Sequence, residues 1–412
     1  MPSRAVPITM DGTIADGYHR AQPIQLAQIT MPLYLTFALM FCCFTSITAS
    51  RVMLSLYALG LGAAPLAVGI LFAAFYAFPL LLSWPVGRLA DRIGSRWLLL
   101  FGACSGICGM SMPYFFRELG ALYFGATTLG LAFTCYNVLL HNLVGLISKP
   151  HERTLNFSNA SIVGASTLLA GPLIAGWAID LSGPAVACLY SAALSLAAAA
   201  MLVIWGKALP GGSGHAASAG SVRDTLNDPA IVKILITSSL VQVGQDLYQF
   251  YMPIYGHSIG LSASAIGTVL AGFASAYFVV RFVMAHLIAR VGEERLLAWA
   301  FYLAAAGFLL VPFFKSAVML AMISFMFGLG MGCGQPITTM LMFNRSAAGR
   351  SGETFGLRQT TNNLMRVTMP TVFGFIASAF GLLPVFCVSA LLMGAGGLIT
   401  LPPRADRNGG DR

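Results

Sequence analysis

Residues 184–206 read PAVACLYSAALSLAAAAMLVIWG, without one charged side chain. A hydrocarbon core about 30 Å thick needs roughly 20 such residues in a helix rising 1.5 Å per residue. This segment is therefore long enough to cross a bilayer. The residues after it decide the layout: Lys207 to Pro229 includes Pro210, Gly211, Gly212, Ser213 and Gly214, the composition of a flexible linker. Before 184–206, apolar segments recur at 31–58, 65–86, 97–115, 120–142 and 157–180. After the linker they recur at 231–254, 262–289, 296–314, 317–341, 356–380 and 384–402. Most connections are very short, such as Gly60–Ala64 and Ser182–Gly183. The expected fold is an all-α membrane protein of twelve transmembrane helices in two six-helix pseudo-symmetric bundles. Its parts are a tail at 1–28, a bundle at 29–206, the linker at 207–230, a second bundle at 231–403 and a tail at 404–412.

Composition agrees. Hydrophobic residues make up 57% of the 412, charged residues 9%, and mean hydropathy is +0.79. A soluble domain carries about a quarter charged residues to face water, so most of this chain is solvated by lipid. Cys42, Cys43, Cys104, Cys108, Cys135, Cys188, Cys333 and Cys387 all lie in apolar segments, where cysteine acts as a small hydrophobe. No His or carboxylate joins Cys104 and Cys108 at zinc-site spacing, so no metal and no cofactor are expected. The polar N-terminus lacks the apolar run of a signal peptide. Paired carboxylates, HExxH and GxSxG are absent from the sequence, which argues against an enzyme.

The basic residues set an orientation. With both termini cytoplasmic, the inner loops receive Arg88, Arg92, Arg96, Lys149, Arg153, Lys207, Arg223, Arg290, Arg295, Arg345, Arg350 and Arg358. The outer loops hold little beyond Arg117 and Lys315. This is the positive-inside pattern, and it accounts for the net charge of +9 without nucleic acid as a partner. The expected location is the plasma membrane, the inner membrane in a bacterium.

The two halves repeat. One ungapped offset of 198 residues aligns Tyr57 with Tyr255, Gly62 with Gly260, Gly69 with Gly267, Arg92 with Arg290 and Gly94 with Gly292. It also aligns Gly130 with Gly328, Phe157 with Phe355, Pro172 with Pro370 and Gly176 with Gly374. Parallel repeats about an axis along the membrane normal are a transporter architecture with the substrate site at the repeat interface.

The loop after the second span reads Gly87-Arg88-Leu89-Ala90-Asp91-Arg92-Ile93-Gly94-Ser95-Arg96, and it resembles the cytoplasmic signature of the major facilitator superfamily. The resemblance implies that Asp91 caps the following helix and pairs with basic residues, here Arg92 and Arg96, to hold a cytoplasmic gate closed. Ser95 stands where a basic residue is usual, and the second copy has Ala289 in place of the Asp. In the fifth span, Gly164, Gly171-Pro172 and Ala175-Gly176 resemble the glycine-proline motif of the family's antiporter branches, which tilts the reading toward export. The bottom-up reading of the same residues is close helix approach with a bend at Pro172.

Polar groups inside the spans carry the chemistry, because each costs free energy to place there. Gln242, Gln245, Asp246 and Gln249 form one stripe on the seventh span. Gln359, Asn362, Asn363 and Arg366 form another on the eleventh, while the fourth offers Thr134, Asn137 and His141, and the tenth Gln335 and Thr338. Four hydrogen-bonding groups per stripe exceed what helix packing requires, which favours a water-filled cavity over inter-helix contact. Asp246 is the sole carboxylate deep inside a span. Low dielectric favours the neutral form of a carboxyl, so Asp246 is the candidate proton carrier. Arg51 lies about 12 Å from the outer end of its span at 1.5 Å per residue, a depth similar to that of Asp246. The pair reads either as a coupling device or as a fixed structural ion pair. Arg281 and Arg366 have no evident carboxylate at their own depth, which implies either an anionic substrate or bonds to backbone carbonyls.

The resulting expectation is a monomeric, proton-coupled transporter of a small organic solute working by alternating access. Export in exchange for protons comes first, and uptake of an organic anion with protons second. A membrane sensor on a transporter fold is a third reading, and it lacks the soluble output domain a sensor would carry.

Overall fold

The computed structural model describes residues 22–149, 152–210, 228–345 and 351–401. Most of both tails, linker residues 211–227 and the side chain of Asp91 lie outside that set. Six long helices form the first half: α1 (Gln22–Gly60), α2 (Pro65–Ile93), α3 (Ser95–Phe115), α4 (Leu119–Ile147), α5 (Arg153–Ser182) and α6 (Pro184–Trp205). Six form the second: α7 (Pro229–Ser258), α8 (Ala263–Val291), α9 (Glu293–Leu310), α10 (Ala317–Arg345), α11 (Ser351–Phe380) and α12 (Leu382–Thr400). Among the described residues, eleven helices hold a stretch long and apolar enough to cross a membrane. The twelfth is α11, where Arg358, Gln359, Asn362, Asn363 and Arg366 dilute the apolar content.

The corners between helices show the internal repeat in backbone geometry. Gly62, Gly94 and Gly183 have φ of 79°, 83° and 81°, and their partners 198 residues on, Gly260, Gly292 and Gly381, have 79°, 85° and 84°. Gly94 ends α2 and starts α3 at ψ 159°, a conformation strained for any residue with a Cβ.

Within each half, lipid on the outside gives no hydrophobic drive for helices to associate, so packing and hydrogen bonds specify the neighbours. In the first half, Ser46 of α1 bonds Ser191 and Ser195 of α6, each at 2.9 Å, and Ser50 meets Ser191 at 2.5 Å. In the second, Tyr248 of α7 stacks on Phe327 of α10 with centroids 4.1 Å apart, and its hydroxyl shares a hydrogen bond with Ser324.

The halves meet most tightly on the side where α1 ends and α2 begins, here the far side. A Cβ on Gly69 would strike the carbonyl of Pro370, and one on Gly267 would strike the carbonyl of Pro172. These contacts are the same contact twice, because each residue is 198 positions from its counterpart. Gly176 abuts Ala263 and Ser264, and Gly374 abuts Pro65 and Leu66. Polar caps complete the seams. Asp180 of α5 accepts from the backbone N–H groups of Ala263 and Ser264 at 3.0 and 2.8 Å, across to the first turn of α8. Its symmetry partner Ser378 accepts from the N–H of Leu66 in α2 at 3.0 Å.

If these glycine contacts hold the far side shut, Gly267→Val will disfavour the closed arrangement by about 1–3 kcal/mol, the range for overpacking. Spin labels on the far ends of α5 and α8 should then report a longer distance than in the unsubstituted protein.

Candidate functional site

Helices from both halves enclose a cavity of about 410 Å³ at mid-depth. Its lining includes Ala160 and Ser161 early in α5, and Asn137 and His141 late in α4. The cavity therefore extends from the middle toward the side where α1 begins, while the glycine seams block the far side.

Asp246 lines it, 7% exposed. Arg51 Nη2 of α1 lies 3.3 Å from Oδ1, and Arg366 Nε of α11 lies 3.0 Å from Oδ2. Gln242, one turn earlier on α7, donates to Oδ2 at 2.7 Å. Both guanidiniums also lie near the Tyr76 ring of α2, their carbons 5.4 Å (Arg51) and 5.3 Å (Arg366) from its centroid. Arg51 also lies 5.6 Å from the Phe72 centroid. Cation–π contact of this kind stabilises a desolvated guanidinium by about 2 kcal/mol.

A chain of amides runs on from the carboxylate. Gln335 of α10 donates to Gln242 Oε1 at 2.9 Å, and Arg358 of α11 donates to Gln335 Oε1 at 2.5 Å. Arg358 Nε reaches Ser238 at 2.6 Å, and Asn362 is tied to Ser239 at 3.3 Å and to Ser238 at 3.4 Å. Gln245 donates to the carbonyl of Met331 at 2.9 Å, while Gln249 lines the cavity beside Thr48 and Leu168. His141 Nδ1 lies 2.9 Å from the carbonyl of Asn137. Arg281 of α8 also lines the cavity, and its Nη1 donates to Ser161 of α5.

Three expectations need correction. Arg366 does have a carboxylate at its own depth. Counting inward from the ends of apolar segments misjudged its level, because α7 and α11 are each 30 residues long and bring Asp246 and Arg366 alike near mid-helix. Arg358 is not an inner-loop cation but a 4% exposed residue within α11. Its spacing from Asn362 and Arg366, four residues at each step, is a signal that could have placed it on the polar face. Asn363 does not line the cavity; it is 4% exposed and its Oδ1 has no hydrogen-bond partner. Tyr76 and Ser161 carried no sequence signal, since an aromatic or a hydroxyl in a span is ordinary.

The fifth-span motif divides its work. Gly171 packs on Thr48 and Ala49 of α1, Gly176 packs on α8, and Gly164 borders the cavity with nothing within 4 Å of an added Cβ. The stretch expected as the loop after the second span is mostly helix: Gly87 and Arg92 lie in the last turns of α2, where Gly87 faces Val138 of α4 and Arg92 is exposed. Arg96 turns to the end of α6, donating to the carbonyls of Leu202 at 3.2 Å and Val203 at 3.1 Å. A cation there complements the C-terminal end of the helix dipole.

Removing one partner of a buried ion pair costs about 3–5 kcal/mol, because the other charge stays buried and uncompensated. Asp246→Ala is expected to lose stability of that order, since it strands two guanidiniums. Changing Arg51 and Arg366 to Gln in the same protein should recover most of the loss in thermal unfolding of the detergent-solubilised chain.

Comparison with known proteins places this arrangement. Multidrug resistance protein MdtG of Klebsiella pneumoniae (strain 342) is 24% identical over 332 residues, covering 78% of this chain and 80% of that protein. The class D tetracycline resistance protein of Salmonella ordonez is 24% identical over 316 residues, covering 75% and 79%. Among solved structures, a POT family transporter in complex with 5-aminolevulinic acid superposes with a TM-score of 0.77 at 13% identity, over 90% of this chain and 95% of that one. The nucleoside transporter NupG gives 0.74 at 13% identity, over 90% and 98%. The family model described as Major Facilitator Superfamily matches residues 36–370 and 234–411, and the chain belongs to that family of membrane transporters.

Proposed function

We propose that the chain moves a small organic solute through this cavity by alternating access, with Asp246 as the proton carrier. One observation carries the reading: the one buried carboxylate among the described residues is held by cations from both halves. Its protonation state therefore bears directly on how the halves hold together. Protonating Asp246 leaves Arg51 and Arg366 without their counter-charge and weakens a link across the half-to-half interface. Tyr76 on α2 and Tyr277 on α8 are the other titratable groups facing it.

Export in exchange for protons is the first direction, supported by the printed names of the multidrug and tetracycline resistance relatives. Basic residues gathered on the terminal side support cytoplasmic termini in an inner membrane, and the cavity then faces the cytoplasm. Each chain holds both halves, so one copy suffices. Uptake with protons is a second reading. It is favoured by the bracketing of Asp246, since a proton arriving there releases two cations instead of competing with one.

Solute-induced proton movement in pyranine-loaded proteoliposomes, screened with tetracycline and a panel of organic acids, tests the coupling. Asp246→Asn should abolish the proton signal and leave gradient-free solute exchange largely intact. Equal proton signals from variant and unsubstituted protein would defeat the proposal. Acid outside the vesicles should speed efflux of loaded solute under exchange, and drive accumulation under cotransport.

The gate role that the family resemblance gives Asp91 is a separate proposal. Asp91→Ala should shift the population further toward the inward-open state, read by electron–electron distances across the cytoplasmic ends of the two halves.

A further inference from the structure

Three arginines and a single carboxylate line the cavity: Arg51, Arg281 and Arg366 against Asp246. Arg51 and Arg366 share Asp246, so the lining keeps an excess of two positive charges. Arg281 has no ion-pair partner among the described residues, and its Nε is buried without a hydrogen-bond acceptor. Bonds to backbone carbonyls, the usual rescue for an arginine in a span, do not explain it. Its contact is a side-chain hydroxyl, that of Ser161. A guanidinium left this way at mid-membrane is costly, and its missing partner is an acceptor-rich anion of the kind arginine grips with two parallel bonds.

Aromatic faces share the lining. Phe44, Phe75 and Phe133 cluster on the first half, with Phe75 and Phe133 centroids 5.5 Å apart and Phe44 and Phe133 at 6.5 Å. The cavity thus presents both cations and aromatic faces in its lining. At about 410 Å³ it falls within the range of small-molecule sites.

We propose that the cavity takes an organic acid with an apolar body. Its carboxylate, sulfonate or phosphate group seats at Arg281, and its body lies against Phe44, Phe75 and Phe133. The inference rests on the reading that this cavity is the transport site, and it agrees with cotransport more readily than with exchange. A second anion in the same cavity disfavours the ionised form of Asp246, so anion and proton bind together.

Benzoate, benzamide and benzamidine carry one ring with three charges, and acetate carries the acid without the ring. Equilibrium binding of these four to the protein in nanodiscs, by calorimetry and thermal shift, tests the assignment. The expected order places benzoate ahead of benzamide, benzamidine and acetate. Arg281→Gln should weaken benzoate about tenfold or more, as for a lost hydrogen bond to a charged group, while Arg281→Lys recovers part of it. Benzamidine or benzamide binding as well as benzoate, or no preference within the series, would overturn the proposal. So would equal weakening of benzoate and benzamide by Arg281→Gln. The charge order is read in the unsubstituted protein, so it stands even where a variant fails to fold. Because no gradient is imposed, the result is independent of whether Asp246 carries the proton.

Discussion

A carboxylate buried inside a membrane protein needs counter-charges for its ionised form, and in this chain Asp246 meets that constraint with guanidiniums from two different halves. Arg51 arrives from α1, Arg366 from α11, and the ring of Tyr76 from α2 lies close to both cations. The arrangement fixes which faces of four helices turn inward. Gln242, Gln335, Arg358 and Ser238 then extend it as a hydrogen-bonded chain within the second half. Such a network is costly when any member is left without a partner. The polar stripes therefore have little freedom to rotate toward lipid, and the cavity follows from the ion cluster as much as from the helix layout.

Around that centre the helices pack by removing bulk instead of adding apolar area. Where α2 crosses α11 and α5 crosses α8, glycine lets one backbone touch the carbonyl of an in-helix proline of the other. Prolines 172 and 370 lie inside their helices, and each leaves the earlier turn without one backbone donor. The crossing points are thus positions of close contact and of weakened helix at once, a combination suited to bending.

Much of this was legible in the sequence because the repeat is ungapped. The offset that aligns Gly69 with Gly267 and Pro172 with Pro370 is the same one that makes the two crossings equivalent. It also set Asp246 opposite Thr48, one turn from Arg51, and the two do meet. What the sequence could not give was level and facing. Depth counted from the ends of apolar runs missed the pairing of Arg366, because the helices extend past those runs. Arg358 was hidden by its nearness to a span end, where the positive-inside pattern already explains an arginine. Asn363 shares a helix with the stripe yet turns away, since a face about 100° wide does not hold every member of a run of neighbours.

The two far-side seams match in shape but not in the groups that fasten them. At α8, the first turn presents its N–H groups to both oxygens of Asp180. At α2, a single hydroxyl from Ser378 takes the corresponding place. A charged acceptor at the positive end of a helix dipole makes bonds roughly twice as strong as neutral ones. Both seams cover the first turn of a helix, but parting α5 from α8 uncovers an anion there, whereas parting α2 from α11 uncovers a neutral hydroxyl. The pseudo-twofold axis is therefore exact for neither half in energy. The seam between α2 and α11 is the softer edge, and the seam between α5 and α8 is the stiffer one about which the halves would swing.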